Sequence, residues 1–263
     1  SRIDVTKQNE TEGYWAKAIA IIEKLLGLGN DSAVDDVTTI SGATQSSTAI
    51  KEAVQNALKS AEEADGSESN PYVIANIDQL KAFADAVNKG NSYAGKYVVL
   101  GANLDLANVD WAPIGKAEHG KTTGFAGVFD GQGYTVKNLT CGTATDAKEY
   151  EAVGFFGVIA EGGVVKNLNV QINKIYTDYD LGNYIISGGG LAGILEKDAV
   201  IDHCSVSGAK QVISVNAGSK AALGGLVGQM QTGAVIANSW TDVGLNYGTI
   251  SMENVDVYMG GIC

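Results

Sequence analysis

A glycine-rich segment recurs through the second half of the sequence. Four copies can be stacked: GFAGVFDGQGYTVKNLTC from Gly124, GFFGVIAEGGVVKNLNV from Gly154, GGLAGILEKDAVIDHCSV from Gly189, and GGLVGQMQTGAVIANSWT from Gly224. Their trailing glycines, at 127, 157, 193 and 228, lie 30, 36 and 35 residues apart, and a fifth copy begins at Gly260. A period of this length is typical of stacked supersecondary units, so the sequence predicts a solenoid.

Corresponding positions of the four copies carry similar side chains. One position is polar: Asn138, Asn167, His203 and Asn238. Its neighbours are apolar or small: Val136, Val165, Ile201 and Ile236; Leu139, Leu168, Cys204 and Ser239; Cys141, Val170, Val206 and Thr241. A parallel β-helix stacks like residues about 4.8 Å apart. We therefore expect apolar columns inside, the polar column at a bend with its amides bonded to one another and to the backbone, and glycine corners that a Cβ would obstruct.

The fold class predicted for residues 72–263 is a mainly β, right-handed parallel β-helix with an N-terminal capping helix. Asn76 and Gln79 form a capping-box pattern ahead of an apolar stripe, so a helix over 77–88 is expected to cover the first rung. Short strands are expected at 96–100 and 103–106. Because 259–263 starts a further rung, we expect the natural protein to continue past Cys263 and this domain to be truncated at its C-terminal end.

Residues 1–64 predict a separate, small helical α/β domain, joined by a polar linker at 65–71. Its first helix is expected to bury one face and to stop at Gly27 and Gly29; that face comprises Trp15, Ala18, Ile19, Ile22, Leu25 and Leu26. A second helix carries Ile50, Val54, Ala57, Leu58 and Ala61. Ser46 or Ser47 is the predicted N-cap of that helix.

Charge and cysteine content exclude several classes of protein. The net charge of −12 argues against nucleic acid and against an anionic membrane surface as partners. No stretch approaches 18 apolar residues, so no membrane insertion is expected. Three cysteines, at 141, 204 and 263, form neither a disulfide framework nor a zinc pattern. Cys141 and Cys204 are predicted to be buried thiols in different core columns.

Longer segments separate the repeats, at 142–151, 171–187, 207–221 and 242–258. They are interpreted as inserts on one face of the solenoid. They carry Tyr176, Tyr179, Tyr184, Tyr247 and Tyr258, which could stack on sugars, contact a partner protein or pack at the rim.

The motifs Gly-Gly-Leu-Val-Gly at 224–228 and Gly-Gly-Leu-Ala-Gly at 189–193 resemble the GLUG repeat of secreted bacterial surface proteins. The run from Ile77 through Trp111-Ala-Pro-Ile-Gly to Gly133 is similar to β-helical adhesin-like proteins and to the amino-terminal regions of some immunoglobulin A proteases. This resemblance implies an extracellular or cell-surface bacterial protein, with a glycan or protein ligand and without catalytic residues.

Residues 1–61 resemble the second half of a flavin mononucleotide (FMN)-binding domain of respiratory electron-transfer proteins. The matching core is Ser41, Gly42, Ala43 and Thr44, followed by the helix from Ala49. The resemblance implies that these four residues are the candidate FMN site and that Thr44 is where covalent flavin is carried in that family. The family has an Asp six residues before that Thr, where this chain has Thr38. We expect no cofactor here by default, with FMN as the one that the resemblance leaves open.

Other candidate sites have simpler interpretations. Asp130-Gly-Gln-Gly133 lacks the spacing of a calcium loop and predicts a tight turn. His203 belongs to the polar column, and His119 lies in a polar loop, so neither is expected to act as a ligand or base. Asp105, Asp110, Asp130 and Asp202 fall in different phases of the repeat, which argues against paired catalytic carboxylates.

Three functions follow, in order of preference. The first is a non-enzymatic display or adhesion module that binds glycan or a partner protein. The second is a flavin-linked extracellular electron-transfer protein, and the third is a β-helical carbohydrate-active enzyme. For the preferred function we expect no catalytic and no metal-ligating residues.

Overall fold

A computed structural model of the chain forms two compact units, Ser1–Asp65 and Gly66–Cys263. The residues that the structure describes are 12–25, 34, 36–62, 64–107, 109–143, 145–179, 184–208, 213–217, 220–247 and 256–262. Residues Leu26, Gly27, Gly29 and Cys263, on which predictions were made, lie outside these ranges.

The described part of the first unit is helical. It contains α1 (Glu12–Ala18), α2 (Ala20–Leu25) and α3 (Thr44–Glu62). The expected single first helix is interrupted by a turn at Ile19, whose side chain is 42% exposed. Ala18 and Leu25 of the predicted face are buried as expected. The buried cluster consists of Ile21, Leu25 and Val34, against which Val37, Ile40, Ile50 and Val54 pack.

The predicted N-cap of the second helix was wrong. Helix α3 begins at Thr44, so Ser46 and Ser47 lie inside its first turn. The Ser47 hydroxyl is fully buried and donates to the Ala43 carbonyl oxygen at 2.8 Å, while the Ile40 N–H donates to it at 3.2 Å. Ser47 therefore fixes the loop ahead of the helix through a bond back to that loop.

The second unit contains helix α4 (Ile77–Asn88) and the following strands. These are β1 (Tyr72–Ile74), β2 (Tyr97–Leu100), β3 (Leu104–Asp105), β4 (Lys116–Glu118), β5 (Lys121–Thr123), β6 (Val128–Asp130), β7 (Thr135–Cys141), β8 (Ala152–Val153), β9 (Phe156–Ile159), β10 (Val164–Lys166), β11 (Asn169–Tyr179), β12 (Ile185–Gly189), β13 (Ala192–Leu195), β14 (Val200–Asp202), β15 (Ser205–Gly208), β16 (Ile213–Ala217), β17 (Lys220–Gly224), β18 (Val227–Met230), β19 (Val235–Ala237), β20 (Trp240–Asp242), β21 (Leu245–Tyr247) and β22 (Asp256–Gly260).

Strands from successive turns of the chain pair in parallel, which confirms the predicted β-solenoid. One sheet has the order β1-β2-β6-β10-β14-β19, and a second runs β20-β15-β11-β16-β21 with β7 and β3 attached through β11. The two further parallel sheets are β22-β17-β12-β8 and β18-β13-β9. The exception is the antiparallel hairpin β4-β5.

The capping helix forms as expected. The Asn76 side-chain oxygen accepts from the Gln79 N–H at 2.9 Å, and the Gln79 side chain accepts from the Ala75 N–H at 2.8 Å. Phe83 from this helix packs edge-on against Phe125 at 5.5 Å between ring centroids. The helix buries four side chains in the main core: Leu80, Phe83, Ala84 and Val87.

Ahead of the capping helix, residues 66–70 are tied to the second unit. The Tyr97 N–H donates to the Gly66 carbonyl at 2.8 Å, and Ser67 forms an antiparallel β-bridge with Asn70. The segment interpreted as a linker over 65–71 thus includes an ordered turn.

The later repeats stack in the predicted register. Val165 pairs with Ile201 and Ile201 with Ile236; Val170 pairs with Val206 and Val206 with Thr241. In each of the two columns the middle residue is fully buried.

The first repeat does not stack as predicted. Val136 pairs with Val170, and Phe129 takes the place beside Val165 that was assigned to Val136. Likewise Cys141 pairs with Ile175 and not with Val170. In the first repeat the place beside the Asn167 bend is taken by the turn that follows β6. The Gly133 N–H of this turn donates to the Asn167 carbonyl at 2.8 Å. Asn138 then falls in β7 where the register shifts against β11.

Glycines form the corner between β12 and β13 and its equivalents, as predicted. Gly189 pairs with Gly224, and Gly224 with Gly260. A Cβ on Gly189 would lie 2.7 Å from both the Gly228 nitrogen and the Val227 Cα, so a side chain cannot be accommodated without a backbone shift. The prediction aligned Gly127 with Gly157, the trailing glycines of the first two copies, and this alignment was wrong. That place belongs to Gly115, because Ile114 pairs with Phe156.

Three of the four segments interpreted as inserts contain strands. Residues 171–187 contain most of β11 and the start of β12; 207–221 contain β16, and 242–258 contain β21 and part of β22. These strands pair in parallel from one turn to the next, which satisfies their backbone groups. The described strands of these segments therefore widen the rungs.

Candidate functional site

A ladder of polar side chains follows the bend between the first and second sheets. Asn167, His203 and Asn238 have φ values of 52°, 50° and 47°. This left-handed conformation reverses the chain direction locally, and Asn adopts it more readily than most residues because its short amide can bond nearby groups. The predicted bend is therefore confirmed for these three positions.

We predicted that the amides of the ladder bond to one another. The structure shows that they bond to carboxylates. The Asn167 Nδ2 donates to Asp130 Oδ1 at 3.0 Å, and the Asn238 Nδ2 donates to Asp202 Oδ1 at 2.8 Å. Each amide thus bonds to the Asp one residue earlier on the preceding rung. Asp130 and Asp202 both pair with Lys166, so they share a column, contrary to the expectation that they differ in phase.

Asn138 makes the same contact in its own column. Its Nδ2 donates to Asp105 Oδ1 at 2.7 Å, and its φ is 60°. Lys137 lies 3.2 Å from the same carboxylate. The Asn138 amide, then the Ala107 N–H and the Lys137 ammonium, hold the pKa of the Asp105 carboxyl below its usual value.

The same cause acts on Asp202. The Asn238 amide, followed by the His203 ring, lowers the pKa of the Asp202 carboxyl. His203 Nδ1 lies 2.9 Å from Asp202 Oδ1, which places His203 in the ladder as predicted. The Asn238 amide and the His203 ring therefore favour the charged form of the Asp202 carboxyl and fix its position.

An open groove runs beside this ladder, with a volume of about 470 Å³. Its lining is polar: Asp130, Gln132, Gly133, Asn167, Asn169 and His203. Asn169 continues into an outward column, because it pairs with Ser205 and Ser205 pairs with Trp240. Sequence reasoning missed Asp130, Asp202 and Trp240 here. In the sequence only Asp202 stands directly before a residue of the predicted polar column, His203, whereas Asp130 is aligned with it only by the pairing of both with Lys166.

The candidate FMN residues lie at the start of α3. Ser41 and Gly42 are exposed, Gly42 has a φ of +79°, and Ala43 is buried. Thr44 is exposed at the first position of the helix, where backbone N–H groups favour a phosphate. The Lys17 ammonium lies 3.6 Å from where a Cβ on Gly42 would be. An exposed hydroxyl, a helix N-terminus and a nearby cation fit the phosphate end of FMN.

Two carboxylates come together away from the ladder. Lys148 Nζ lies 2.7 Å from Asp110 Oδ2 and 2.9 Å from Asp146 Oδ2. These contacts, that to Asp110 first, raise the pKa of Lys148. The pair borders a groove of about 310 Å³ that also includes Thr140 and Asn173. The Lys148 ammonium thus lies between the two carboxylates and contacts both.

The remaining candidates behave as structural residues. Asp130 Oδ1 accepts from the Gln132 N–H at 2.8 Å, which confirms the predicted turn. The ring of His119 packs edge-on against Tyr184 at 5.6 Å between centroids, in the β4-β5 hairpin region. The N–H of His119 donates to the buried Glu151 carboxylate. Tyr184 thus packs at the rim, one of the alternatives for the insert tyrosines.

Cys141 and Cys204 are buried free thiols, as predicted. Burial raises the pKa of each to about 12, so neither is a reactive thiolate near neutral pH.

Within the described residues, no three His, Cys, Asp or Glu side chains are grouped so that they could hold a metal ion. Over the same part of the chain, no helix combines the length and apolar character that crossing a bilayer requires.

Residues 1–59 match the sequence profile of the FMN-binding domain family. The match includes the Ser41–Thr44 segment and most of α3, and it covers less than a quarter of the chain.

Two curated proteins share 29% identity with this chain over 147 residues. One is halomucin of Haloquadratum walsbyi, where the match covers 52% of this chain and 2% of halomucin. The other, of Evansella cellulosilytica, bears the name "Putative Gly-rich membrane protein", with 54% of this chain and 15% of that protein covered. The chain thus spans a small part of either relative.

Among solved structures, the chain is similar to a "putative immunoglobulin A1 protease" from Bacteroides ovatus. The two share 18% identity with a TM-score of 0.35, over 76% of this chain and 87% of the other.

Proposed function

We propose that this chain is a non-enzymatic module of a bacterial extracellular protein, in which the solenoid displays a binding surface at the cell surface. The observation that carries this proposal is the ladder. Its carboxylates are each engaged by an amide of the next rung, which gives a rigid polar surface without a free acid or base. A surface of this kind suits recognition, because its groups are held in place before a ligand arrives.

The extracellular location is supported by two observations. The chain has a stack of glycine-cornered rungs with a polar ladder at the bend, and one relative bears the name of a Gly-rich membrane protein. The acidic net charge of −12 favours solubility and disfavours adsorption to anionic membrane lipids.

The non-enzymatic part of the proposal rests on the arrangement of carboxylates. A glycosidase needs one carboxylic acid and one carboxylate with the sugar between them. At Asp110 and Asp146 the intervening place is taken by the Lys148 ammonium, and in the ladder each Asp is occupied by an Asn. Adhesion to a glycan or a protein is the role that remains for such a surface.

The test is an activity assay on the purified chain. Polysaccharides are incubated with the wild type and with Asp110→Asn, and new reducing ends are measured. We expect none above the background of a heat-treated sample. Reducing ends that form with the wild type and disappear in Asp110→Asn would refute the non-enzymatic function and support the carbohydrate-active enzyme.

The second candidate function is flavin-linked electron transfer, and the specific observation in its favour is the family match over residues 1–59. In that function the Thr44 hydroxyl and the start of α3 would hold the phosphate of FMN, and the bound flavin would supply one- and two-electron chemistry.

Absorbance near 450 nm tests this candidate. The purified chain is incubated with FMN, dialysed against FMN-free buffer and compared with Thr44→Val, which removes the hydroxyl at nearly constant volume. A larger amount of flavin retained by the wild type than by Thr44→Val would establish the second function. A colourless wild type after dialysis would eliminate it.

A further inference from the structure

Trp240 is an unusual side chain for the outer face of a sheet. It lies in β20 and is 56% exposed, although an indole is a large apolar group. Its chain neighbour Thr241 continues the column of Val170 and Val206, both of which are buried. Alternation along the strand therefore directs Trp240 outward. An exposed aromatic ring on a rigid strand is a typical contact point for a ligand.

Polar groups lie beside the indole on the same face. Trp240 pairs with Ser205, and the Ser205 hydroxyl donates to Asn169 Oδ1 at 2.6 Å. Asn169 is a wall of the open groove, which His203 and Asn167 also line. Asn238 is two residues before Trp240 and belongs to the ladder. Ser205 itself is buried, so its hydroxyl positions Asn169 from below. We call the surface formed by Trp240, Asn169 and the ladder residues Asn167, His203 and Asn238 the ladder face.

The ladder face presents hydrogen-bonding groups in fixed orientations. Each ladder contact uses one amide hydrogen, while an Asn side chain has a second donor and a carbonyl acceptor. The same groups recur on successive rungs, about 4.8 Å apart. That spacing is close to the length of one pyranose unit in a linear polysaccharide, so successive rungs can meet successive sugars.

We propose that the ladder face binds a neutral, hydroxyl-rich polysaccharide chain laid along the stack of rungs. The C–H face of one sugar packs on the Trp240 indole, and its hydroxyls bond to the amides and carboxylates of the ladder. This inference rests on the proposed display function and names its ligand class.

The charge of the face selects a neutral ligand. Asp130 lies 3.6 Å from the Lys166 ammonium, and Asp202 is engaged by Asn238 and His203. No excess of cations is therefore present on the face to attract an anionic sugar, and the net charge of −12 repels one. The polar lining of the groove likewise disfavours the apolar anchors by which a protein partner would bind.

Affinity electrophoresis tests the inference on the complete chain. Native gels contain soluble β-glucan, mannan or xylan as neutral probes and polygalacturonate as the anionic probe. The variants are Trp240→Ala, Trp240→Phe and Asn169→Ala. Tyr258→Ala is the matched control, because Tyr258 is 62% exposed and lies in β22 of a different sheet.

At least one neutral probe should retard the wild type and Tyr258→Ala equally. Trp240→Ala should weaken the binding by about tenfold or more, and Trp240→Phe should recover part of it because a ring remains. Asn169→Ala should weaken binding to a lesser degree. Melting temperatures of Trp240→Ala, Trp240→Phe and Tyr258→Ala should match the wild type, because these side chains are exposed. Asn169→Ala should melt lower, because it removes the acceptor of the Ser205 hydroxyl and the bond to the Gly133 carbonyl.

Three results would overturn the inference: no retardation by any neutral probe, retardation by polygalacturonate alone, or equal losses in Trp240→Ala and Tyr258→Ala. None of these bears on whether the module is enzymatic. Conversely, cleavage of a retained neutral probe would refute the non-enzymatic function and leave the binding face established.

Discussion

Replacing Asn167 by Ala and by Gly separates the two physical roles of the ladder. Both changes remove the amide bond to Asp130, which contributes about 0.5–1.5 kcal/mol net. Ala must in addition adopt a φ of 52°, at a cost of roughly 1–2 kcal/mol. Gly adopts that φ freely but loses about 0.5–1 kcal/mol through its more flexible unfolded chain. We therefore expect Asn167→Ala to be the less stable variant, by about 1 kcal/mol.

The matched control is Asn173, in β11. Its Nδ2 also donates to a side chain of an earlier rung, Thr140 Oγ1 at 3.0 Å, but its φ is not in the left-handed region. In a strand Gly is less stable than Ala, so the order at Asn173 should reverse.

Urea unfolding followed by tryptophan fluorescence measures all four variants. For a unit of this size, a difference of about 1 kcal/mol also appears as a melting shift of roughly 2–4 °C. The reasoning fails if Asn167→Ala is as stable as Asn167→Gly, or if both sites show the same order.

Three further predictions concern the corner, the core and the charges. Gly189→Ala should destabilise the second unit by roughly 1–3 kcal/mol, because the new Cβ meets backbone atoms. Gly261→Ala should leave the stability unchanged, because open space surrounds that position. Equal melting temperatures of the two variants would contradict this. Trp111→Ala should cost about 3–5 kcal/mol in urea unfolding, since the buried indole stacks on Phe155 at 5.4 Å; a loss below 1 kcal/mol would contradict the packing. Because the folded pKa of Asp202 lies below its unfolded value of about 3.9, its stabilisation is complete above that pH and is lost as the pH falls below it. Asp202→Asn should therefore lose less stability than the wild type between pH 5 and pH 3, and parallel pH profiles would refute the assignment.

The sequence identified the solenoid because its strongest constraints are local. A left-handed bend favours Asn, and a corner without room for a Cβ requires Gly, so Asn167, Asn238, Gly189 and Gly224 carry a signal that survives without any knowledge of the fold. The capping helix was predictable for the same reason, since Asn76 and Gln79 bond within one turn.

Two parts of the fold could not be obtained in this way. Asn138 looks like the other ladder residues in sequence, but the turn at Gly133 takes the bend earlier, so its column depends on pairing between distant strands. The segments read as inserts are strands whose inward positions include Thr177, Ser187 and Ser214, and these buried hydroxyls break the apolar alternation by which strands are recognised.

The ladder face was missed for a related reason. Asp130 and Asp202 differ in spacing from the glycines of their own copies, and only the parallel pairing through Lys166 aligns them. Trp240 stands where other copies carry Asn169 and Ser205, so its role depends on the direction in which its strand faces.

The stacking order of the rungs can be measured by electron spin resonance. Val73 in β1 and Val235 in β19 are exposed and lie on the two outer strands of the six-stranded sheet. Both are replaced by Cys and spin-labelled in a Cys263→Ser background, where the buried thiols of Cys141 and Cys204 stay unlabelled. Five strand spacings and a two-residue offset place the two Cα atoms about 25 Å apart. A single narrow distribution within a few Å of this value is the expected result. A broad or much longer distribution would contradict the continuous parallel stack on which the ladder face depends.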